Sequence, residues 1–505
     1  MRACDRSANR PAGAQDRDVR CLVTGATGYL GGRLVPRLLA EGHQVRCLVR
    51  SPEKLRDVPW AADVEIVRGD VLGDLSATMR DVDVVHYLVH SLNSKDFADA
   101  DRRAAENTAA AAARAGVQRI VYLGGLHPEH VELSPHLASR KEVGEVFLRS
   151  PVPAVVLQAA VIIGSGSASF EMLRYLTERL PVMVTPRWVH NRIQPIAVRD
   201  VLRYLVDATA LDTGLQVNRT FDIGGPDVLT YLDMMLRYAR VAGLPRRRVL
   251  PVPLLTPGLS SHWVNVVTPV PRSIATPLIE SLVHEVVCRE NDVRALLPGE
   301  NIGYDQAVEL ALAKIRDADV ETRWSGASVP GAPSEPLPTD PDWSGGSVYV
   351  DERGRATKAG PERLWEVVEG IGGERGWYSF PLAWAIRGWL DRLAGGVGLR
   401  RGRRDPHRLH VGDALDWWRV EEIERGRLLR LRAEMKVPGQ AWLELRVADG
   451  PRGGSTYRQR AVFVPKGLAG HLYWAVIWPF HGIVFGGMVR NIANEAELHN
   501  NFRKS

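Results

Sequence analysis

The sequence predicts an α/β fold built on a doubly wound parallel sheet, followed by a smaller α+β domain. In the first part of the chain, continuous apolar strands alternate with helical patterns, as is typical of a parallel sheet covered on both faces. A proline-rich stretch then precedes a run of antiparallel strand patterns. The length of 505 residues suggests about three domains, or one large and one small. The chain is 45% hydrophobic and 25% charged, which excludes a disordered or collagen-like protein.

The elements of the first part follow one another in a regular strand and helix order. We predict helices at Tyr29–Glu41 and Asp96–Ala115, and the second contains an alanine run that favours helix. The predicted strands are Val19–Thr24, Gln44–Val49, Val64–Arg68, Val82–Val89 and Arg119–Leu123. Right-handed crossovers between such strands lead to a doubly wound sheet.

A glycine-rich turn connects the first strand to the first helix. It reads Thr-Gly-Ala-Thr-Gly-Tyr-Leu-Gly-Gly from Thr24 onward. Gly25 permits the tight turn, Gly28 lets the backbone approach a pyrophosphate, and Gly31 lets the helix pack against the sheet. The free N–H groups and the positive end of the helix then hold phosphate oxygens. The turn predicts a dinucleotide-binding loop, and the alternative is a tight turn without a ligand.

The end of the second strand indicates which dinucleotide is preferred. A site for NAD usually places Asp or Glu here, against the ribose 2′-hydroxyl, whereas this chain has Arg50 followed by Ser51. The planar fork of an arginine binds two phosphate oxygens at once, so Arg50 suits the 2′-phosphate of NADP(H). We therefore expect NADP(H) to be preferred, with NAD(H) as the second candidate. The alternative is an ordinary surface arginine.

Three motifs, Thr24–Gly31, Gly69–Val71 and Ile193–Val201, resemble atypical extended short-chain dehydrogenase/reductases. Within that superfamily the chain is similar to NmrA-like proteins and to the NAD(P)H-binding accessory subunit of respiratory complex I. Tyr87–Ser91 and Gly164–Phe170 resemble a bacterial subgroup with an added domain of unknown function, related to polyketide cyclase and START-type domains. The resemblance implies a Rossmann-like sheet with a small substrate lobe, then a helix-grip ligand-binding domain.

The resemblance also implies which residues hold the cofactor. In chain order they are Gly25, Thr27, Gly28, Tyr29, Leu30, Gly31, Arg50, Ser51, Asp70, Val71, Leu88, Val89 and His90. The glycine loop would surround the pyrophosphate, and Arg50 would meet the adenosine phosphate. Asp70 and Val71 would contact the adenine, and Leu88–His90 would lie near the ribose and nicotinamide. The polar candidates on the substrate side are His190, Arg192 and Gln194.

The chain departs from the family where the chemistry is expected. The family supplies a Ser and a Tyr-x-x-x-Lys pair, in which the Tyr is the general acid. Here the Ser position is Gly, and His136 and Arg140 replace the Tyr and Lys. In one hypothesis His136 is a substitute proton donor, with an unperturbed pKa of about 6.5, and Arg140 orients the ribose. In the other, this catalysis is lost and the domain only binds or senses NAD(P)H, because Arg cannot replace a tunable Lys.

Composition marks a domain boundary. The segment Asp317–Gly346 contains five prolines with interspersed Gly and Ser, which is typical of an extended linker. Ten of the 14 tryptophans lie at or after Trp343. We therefore predict a disordered leader at 1–18, an NAD(P)-binding Rossmann domain with its substrate lobe at 19–316, a linker at 317–346, and a START-like ligand-binding domain at 347–505.

The second domain has an α+β pattern. A helix is predicted at Pro361–Gly370, and a long apolar segment occupies Gly467–Ile492. The predicted strands are Ser347–Val350, Asp416–Ile423, Leu428–Met435, Ala441–Val447 and Thr456–Val464. Because Pro479 and five glycines interrupt the apolar segment, we favour a buried helix over a membrane-inserted one.

The distribution of charge bears on the partners. The net charge is +6, but the residues from Ser347 onward carry 26 Lys and Arg against 18 Asp and Glu, so the excess lies in the second domain. Its tryptophans suit a hydrophobic small-molecule substrate or ligand. Arg400–Arg404 is either a solvated loop or a contact for anionic lipid at a membrane surface. A basic run without interleaved aromatics makes a poor nucleic-acid site, so we expect no nucleic-acid partner.

The remaining motifs limit the compartment and the chemistry. Four cysteines without paired spacing predict neither a disulfide framework nor a metal site, and a reducing, cytoplasmic location is expected. The leading hypothesis is an NAD(P)H-dependent oxidoreductase that transfers hydride to or from a hydrophobic carbonyl or quinone-like group. The alternatives are a non-catalytic NADP(H) sensor or assembly factor, and a peripheral membrane protein. The sequence does not indicate an oligomeric state.

Overall fold

A computed structural model gives the protein as two compact units, Met1–Gly346 and Ser347–Ser505. The structure describes residues 19–56, 58–90, 97–185, 187–211, 217–251, 268, 270–319, 347–372, 376–378, 408–435, 437–450 and 454–501. The predicted leader, most of the predicted linker and the Arg400–Arg404 cluster lie outside these residues. Each unit has a core of its own.

The first unit contains thirteen strands and nine α-helices among its described residues. The strands are β1 (Arg20–Thr24), β2 (Gln44–Val49), β3 (Glu65–Arg68), β4 (Val84–Tyr87), β5 (Arg119–Gly125), β6 (Ala154–Ala159), β7 (Ile162–Ile163), β8 (Val182–Thr185), β9 (Arg192–Ile193), β10 (Ile196–Ala197), β11 (Arg219–Ile223), β12 (Leu229–Thr230) and β13 (Arg248–Pro251). The helices are α1 (Tyr29–Ala40), α2 (Phe97–Ala115), α3 (Pro135–Leu148), α4 (Ala168–Arg179), α5 (Val198–Thr209), α6 (Tyr231–Val241), α7 (Arg272–Ser281), α8 (Val293–Leu296) and α9 (Tyr304–Asp319).

Seven strands form one parallel sheet in the order β11-β6-β5-β4-β1-β2-β3. The order runs outward in both directions from the pair β1 and β4, so the fold is doubly wound and the predicted α/β class is confirmed. In such sheets a ligand binds in the crevice beyond the carboxyl ends of the strands, where the strand order reverses. That crevice lies beyond the ends of β1 and β4.

Both faces of this sheet are buried. On β1, Cys21 and Val23 pack into the core that contains Leu34 and Leu38 of α1. Leu22 points the other way, into the core that contains Ala105 of α2. Successive side chains of a strand alternate between faces, so a strand covered on both sides must be apolar at every position. This is the physical reason that the apolar runs predicted a parallel sheet.

A small lobe extends from the carboxyl side of the sheet. Three two-stranded pairs, β7 with β10, β8 with β13 and β9 with β12, lie among α4, α6, α7 and α9. Phe170 of α4, Tyr238 of α6 and Val308 of α9 belong to the separate core of this lobe. Helix α6 starts with a capping box in which Thr230 and Asp233 satisfy each other's backbone N–H groups.

The second unit pairs an antiparallel sheet with a long helix. Its described elements are β14 (Tyr349–Thr357), α10 (Pro361–Glu369), β15 (Ala414–Leu415), β16 (Trp418–Glu424), β17 (Leu428–Ala433), β18 (Gly439–Asp449), β19 (Ser455–Pro465) and α11 (Gly467–Asn501). The sheet order is β14-β19-β18-β17-β16-β15. Leu429, Leu431 and Leu443 on one face of the sheet form a core with Met488 and Ile492 of α11.

Several predicted boundaries differ from the structure. Strand β14 reaches Thr357 rather than Val350, because its polar residues pair along the edge of the sheet with β19, where exposed charges are tolerated. Helix α9 extends to Asp319, three residues into the predicted linker. Helix α11 continues to Asn501 instead of ending at Ile492.

Helix α11 is buried in only one half. Its C-terminal half is packed against the sheet through residues such as Met488 and Ile492. In its N-terminal half, Val476, Phe480 and Ile483 are 68%, 64% and 70% exposed. The prediction of a buried helix is therefore right for the second half and wrong for the first. By length and composition alone, Gly467–Leu498 is long and apolar enough to cross a membrane.

Candidate functional site

The glycine loop at the end of β1 is closed by its own backbone. Gly25 has φ of 78°, and the Gly28 N–H donates to the Gly25 carbonyl over 2.9 Å. A Cβ on Gly25 would lie 2.7 Å from the Leu88 carbonyl oxygen. A Cβ on Gly31 would overlap the Gly25 carbonyl, with its carbon only 2.8 Å away. Both positions therefore require glycine for the close approach of backbone to backbone.

The start of α1 is open to an anion. Gly28 is the N-cap and has no side chain to cap the helix, and the first turn carries no acidic residue. The backbone N–H groups at the start of a helix and the helix dipole favour an anion such as a phosphate there. Gly28 is exposed, whereas Thr27 and Leu30 are half-buried. The predicted loop residues thus lie in an arrangement that fits a pyrophosphate.

The Tyr29 side chain lies between the loop and the small lobe. The Arg33 guanidinium lies 4.2 Å from the centre of its ring. A Cβ on Gly164 would come within 2.5 Å of the Tyr29 hydroxyl oxygen, so the glycine leaves the space that the hydroxyl fills. The contact explains why a glycine in the Gly164–Phe170 motif is needed beside the cofactor loop.

Thr24 joins the loop to the end of β4. Its hydroxyl donates to the His86 carbonyl over 3.2 Å and accepts from the Leu88 N–H over 3.2 Å. Leu88, Val89 and His90 follow β4 directly, so the structure brings them to the same edge of the sheet as the glycine loop.

Arg50 and Ser51 follow the end of β2. Arg50 is exposed and Ser51 is half-buried at the N-cap of a 3₁₀ turn, Pro52–Leu55. Strand β3 ends at Arg68, which pairs with Val49 and is exposed as well. Arg68 is not among the cofactor residues predicted from the sequence. Its position at the carboxyl end of a strand next to β2 was the available signal.

Asp70 and Val71 are fixed in a loop after β3. The Asp70 carboxylate accepts from the Leu72 N–H over 2.9 Å. Asn107 of α2 donates to the Val71 carbonyl over 2.7 Å and to the Gly73 carbonyl over 2.8 Å. Asn107 therefore holds the predicted adenine loop in place, a role that local sequence patterns do not indicate.

Two histidines and a carboxylate form a hydrogen-bonded chain beside Leu88. His90 Nδ1 lies 2.6 Å from the Asp101 carboxylate, and His90 Nε2 lies 3.1 Å from His136 Nδ1. Asp101 is only 3% exposed, and the Ser139 hydroxyl donates to the same carboxylate oxygen over 3.4 Å. The structure thus brings together two predicted site residues, one from the cofactor set and one from the catalytic pair.

Asp101 is not among the site residues predicted from the sequence. It lies on the buried stripe of α2, in line with Ala104, Ala105 and Thr108. A carboxylate at a position where the helical period calls for an apolar residue is the signal that could have found it.

The environment keeps His136 neutral. Burial lowers the pKa of His136 to about 3, and the nearby His90 and Arg140 act in the same direction. Burial also lowers the pKa of His90, while its hydrogen bond to Asp101 works against that change. Of the two rings, His90 is the one with a carboxylate partner, and that difference decides where a positive charge is tolerated.

Arg140 is held against the sheet. Its Nη2 donates to the Leu123 carbonyl, its guanidinium lies 5.2 Å from the Tyr122 ring centre, and its own carbonyl accepts from the Tyr122 hydroxyl. The predicted role in orienting the ribose remains a prediction. At the neighbouring Gly124, a Cβ would lie 3.2 Å from the Tyr122 ring, so this ring takes part of the space expected for the family's serine.

The substrate-side candidates are mostly engaged within the protein. Gln194 donates to the Gly225 carbonyl over 2.8 Å and accepts from the Cys288 N–H over 3.0 Å. Arg192 pairs with Glu285 at 3.1 Å. His190 is exposed. Within the described part of the chain, no group of three His, Cys, Asp or Glu side chains could hold a metal ion.

The parallel sheet and the glycine loop are those of a Rossmann-like dinucleotide-binding domain. Residues 25–152 match the family described as NAD(P)H-binding. Residues 343–488 match the family described as protein of unknown function, DUF2867.

Three curated proteins give the relationship in more detail. The ceramide reductase of Caulobacter vibrioides is 30% identical over 253 residues, which are 48% of this chain and 78% of that enzyme. The (4-alkanoyl-5-oxo-2,5-dihydrofuran-3-yl)methyl phosphate reductase of Streptomyces griseus is 30% identical over 236 residues, 45% of this chain and 75% of that enzyme. The mitochondrial NADH dehydrogenase (ubiquinone) 1 alpha subcomplex subunit 9 of Arabidopsis thaliana is 26% identical over 333 residues. These residues are 63% of this chain and 81% of that subunit. With the two reductases as its relatives, the chain belongs to a family of NAD(P)H-binding reductases.

Solved structures resemble the first unit more distantly. Triphenylmethane reductase of Citrobacter sp. has a TM-score of 0.48 and 20% identity, covering 58% of this chain and 99% of that one. A nucleoside-diphosphate-sugar epimerase of Staphylococcus aureus has a TM-score of 0.47 and 15% identity, and the match covers 58% of this chain and 100% of that one.

Proposed function

We propose that the chain is an NADPH-preferring reductase that delivers a hydride to a carbonyl or quinone-like group of a hydrophobic substrate. The observation that supports it is the position of His136. It is hydrogen-bonded to His90, which follows Leu88, and Leu88 lies against Gly25 of the phosphate loop. A proton source therefore lies at the same sheet edge as the dinucleotide loop, as carbonyl reduction requires.

The chemistry divides between cofactor and protein. Bound NAD(P)H would supply the hydride. The N-terminus of α1 would hold the phosphates, and Asp70 and Val71 would contact the adenine. His136 gives a proton to the oxygen of the group being reduced, which prevents charge from accumulating there. A proton donor of this kind contributes about 10²–10⁴-fold to the rate.

The test of catalysis is NADPH oxidation with a panel of apolar aldehydes, ketones and quinones. We expect turnover in the wild-type protein and a loss of about 10²-fold or more in His136→Gln, with NADPH affinity unchanged. His410→Gln, an exposed histidine of the second unit, is the matched control. If His136→Gln turns over every accepted substrate at the wild-type rate, the assignment of His136 fails.

The preference for NADPH has its own test. Arg50 and Arg68 are exposed at the ends of neighbouring strands, where two guanidinium groups suit a 2′-phosphate. We expect Arg50→Ala to weaken NADPH about 10-fold or more and to leave NADH unchanged. Arg56→Ala removes another exposed arginine of the same region and serves as the control. An unchanged ratio of NADPH to NADH affinity in Arg50→Ala would refute the preference.

A non-catalytic NADP(H) sensor or assembly factor is the second candidate. It is favoured by the replacement of the family's Tyr and Lys with His136 and Arg140. It predicts tight NADPH binding without turnover on any member of the panel. In that outcome the wild-type protein and His136→Gln are equally inactive, which separates this function from the first.

For the second unit we propose a START-like role in binding a hydrophobic ligand. One face of its antiparallel sheet is packed against α11, and buried tryptophans such as Trp417 and Trp418 of this unit would report a ligand by fluorescence. Saturable quenching of this tryptophan fluorescence by long-chain fatty acids or sterols tests the ligand-binding role, and the absence of quenching refutes it.

We also propose that the protein is cytoplasmic and contacts membrane surfaces through the exposed apolar residues of α11.

A further inference from the structure

We infer that Asp101, His90 and His136 form a proton relay, in which His90 stores the proton and His136 passes one to the substrate oxygen. The inference rests on the proposed function, because the relay has a purpose only if a substrate is reduced beside His136. It assigns Asp101 as a positioning residue for the reaction. The family resemblance predicts His90 as a cofactor-binding residue, and the relay gives it a role in proton transfer instead.

The hydrogen-bond chemistry fixes the first link. An ionised carboxylate can only accept, so at 2.6 Å the His90 Nδ1 must carry a proton. The Ser139 hydroxyl donates to the same Asp101 oxygen, which holds the carboxylate in place. His90 Nε2 is thereby directed at His136 Nδ1, and one proton lies between these two nitrogens.

That shared proton allows two arrangements. When it resides on His136 Nδ1, both rings are neutral and His136 Nε2 has a lone pair that can accept a proton. When solvent adds a proton at His136 Nε2 and the shared proton moves to His90 Nε2, His90 is an imidazolium beside Asp101 and His136 is a neutral ring with its proton on Nε2. In the second arrangement, His136 can donate without ever becoming a cation.

The surrounding charges favour His90 as the carrier of the charge. The titratable groups that face His90 are Asp101 on α2, Arg140 and His136 on α3, and Tyr87 and Tyr122 on the sheet. Arg140 disfavours a cation on either ring, and His136 has no direct hydrogen bond to Asp101 among those described. The low pKa of His136 is therefore compatible with donation, since this ring remains neutral throughout.

Each proton and electron pair of the reduction has a donor and an acceptor. A hydride adds to the carbonyl carbon, the C=O π electrons move to oxygen, and the oxygen takes the proton from His136 Nε2. His136 Nδ1 then receives the proton from His90 Nε2. His90 ends neutral and still donates through Nδ1 to Asp101, which never changes its protonation state. Solvent returns one proton to the chain before the next cycle.

The test is ¹⁵N NMR of histidine side chains in the full-length protein without cofactor, assigned with His90→Gln and His136→Gln. We expect His90 Nδ1 to be protonated at neutral pH. We expect Asp101→Asn to lower the pKa of His90 by about one unit or more, because the carboxylate favours its cation. Asp99→Asn removes an exposed carboxylate of the same helix and should leave the titration unchanged. An unprotonated His90 Nδ1, or an unchanged titration in Asp101→Asn, would overturn the relay.

Kinetics add a readout that a structural role would not move. We expect Asp101→Asn to lower kcat about 10²-fold or more with the NADPH Kd unchanged, and to shift the pH profile toward acid. Asp101→Glu should restore part of the rate, which guards against a folding defect. Wild-type rates in Asp101→Asn, with loss of activity in His136→Gln, would refute the relay while the proposed function stands. An inactive wild type with the expected NMR titration would instead refute the proposed function, and with it the donation to substrate, while the protonation of His90 beside Asp101 would stand.

Discussion

At the scale of single residues, the site depends on one buried carboxylate. Asp101 occupies a position on α2 that its helical neighbours fill with alanine and threonine. A buried carboxylate without partners is costly, and here His90 and Ser139 supply them. Replacing His90 would leave Asp101 with fewer partners in a dry environment, so variants of the two residues should not behave additively.

The buried histidines make stability depend on pH. Burial lowers the pKa of His86 and of His136 to about 3, whereas in the unfolded chain both titrate at about 6.5. Between these values the unfolded chain binds protons that the folded protein does not. The free energy of unfolding should therefore fall on acidification, by up to ~1.4 kcal/mol per pH unit for each histidine.

Urea unfolding at several pH values between about 7 and 4 measures this slope. His136→Gln should have the shallower slope, since one of the two groups is removed. His410→Gln is the control because this histidine is exposed and belongs to the second unit. Identical slopes in His136→Gln and the wild type would show that His136 is not held neutral by burial.

The glycines of the cofactor loop should tolerate substitution unequally. Gly31→Ala forces a Cβ into the Gly25 carbonyl, whereas Gly28→Ala places it 3.1 Å from that oxygen. We expect Gly31→Ala to cost about 1–3 kcal/mol of stability and to weaken NADPH binding, with a smaller effect for Gly28→Ala. Thermal unfolding and NADPH titration measure both effects. Gly360→Ala, where a Cβ meets nothing within 4 Å, is the control, and equal effects at all three positions would contradict the packing argument.

At the scale of secondary-structure elements, α11 combines two environments in one helix. Its C-terminal half fills the core of the second unit, while Val476, Phe480 and Ile483 of its N-terminal half are exposed. Apolar side chains at this spacing form one stripe along the helix. Such a stripe on a basic domain is typical of a contact with an anionic lipid surface.

We expect the protein to float with vesicles that contain anionic lipid. Val476→Glu combined with Ile483→Glu should lower the bound fraction about 10-fold or more, since each buried apolar side chain is worth about 1.5–3 kcal/mol. Leu498→Glu places the same charge at a 58% exposed leucine near the other end of α11. Equal flotation of the double variant and the wild type would refute the contact.

The elements show how much the sequence could predict. Strand β2 was predicted with its observed bounds, because its β-favouring run, with Val45 and Cys47–Val49, is bounded by turns. Val82–Val89 was predicted too long, since β4 ends at Tyr87, where the chain turns into the crevice. The partners of His90 could not be predicted, because Asp101 and His136 lie on different helices that meet only after folding. The glycine loop could be predicted, because the residues that form it are adjacent in the sequence.

At the scale of the whole molecule, two units with separate cores share one chain. The first unit has cores on both faces of its sheet, and the second has its own between sheet and helix. Each core is formed within its unit, so neither unit needs the other to bury its apolar residues.

A chain that ends at Asp319 should therefore fold and bind NADPH as the full-length protein does. Equilibrium unfolding should be a single transition for the shortened chain, and its NADPH Kd should lie within about twofold of the full-length value. A shortened chain that aggregates or loses NADPH binding would contradict the independence of the first unit. The same measurement on Arg50→Ala in both lengths shows whether the binding mode is shared.

The missing side chain at Gly25 has a mechanical consequence. Because the backbone at Gly25 lies directly against the Leu88 carbonyl, no compressible side chain separates the phosphate loop from the segment that leads to His90. The glycine loop and the segment that leads to His90 are therefore in direct backbone contact. We therefore expect a ligand that displaces the glycine loop to displace the segment from Leu88 to His90 as well.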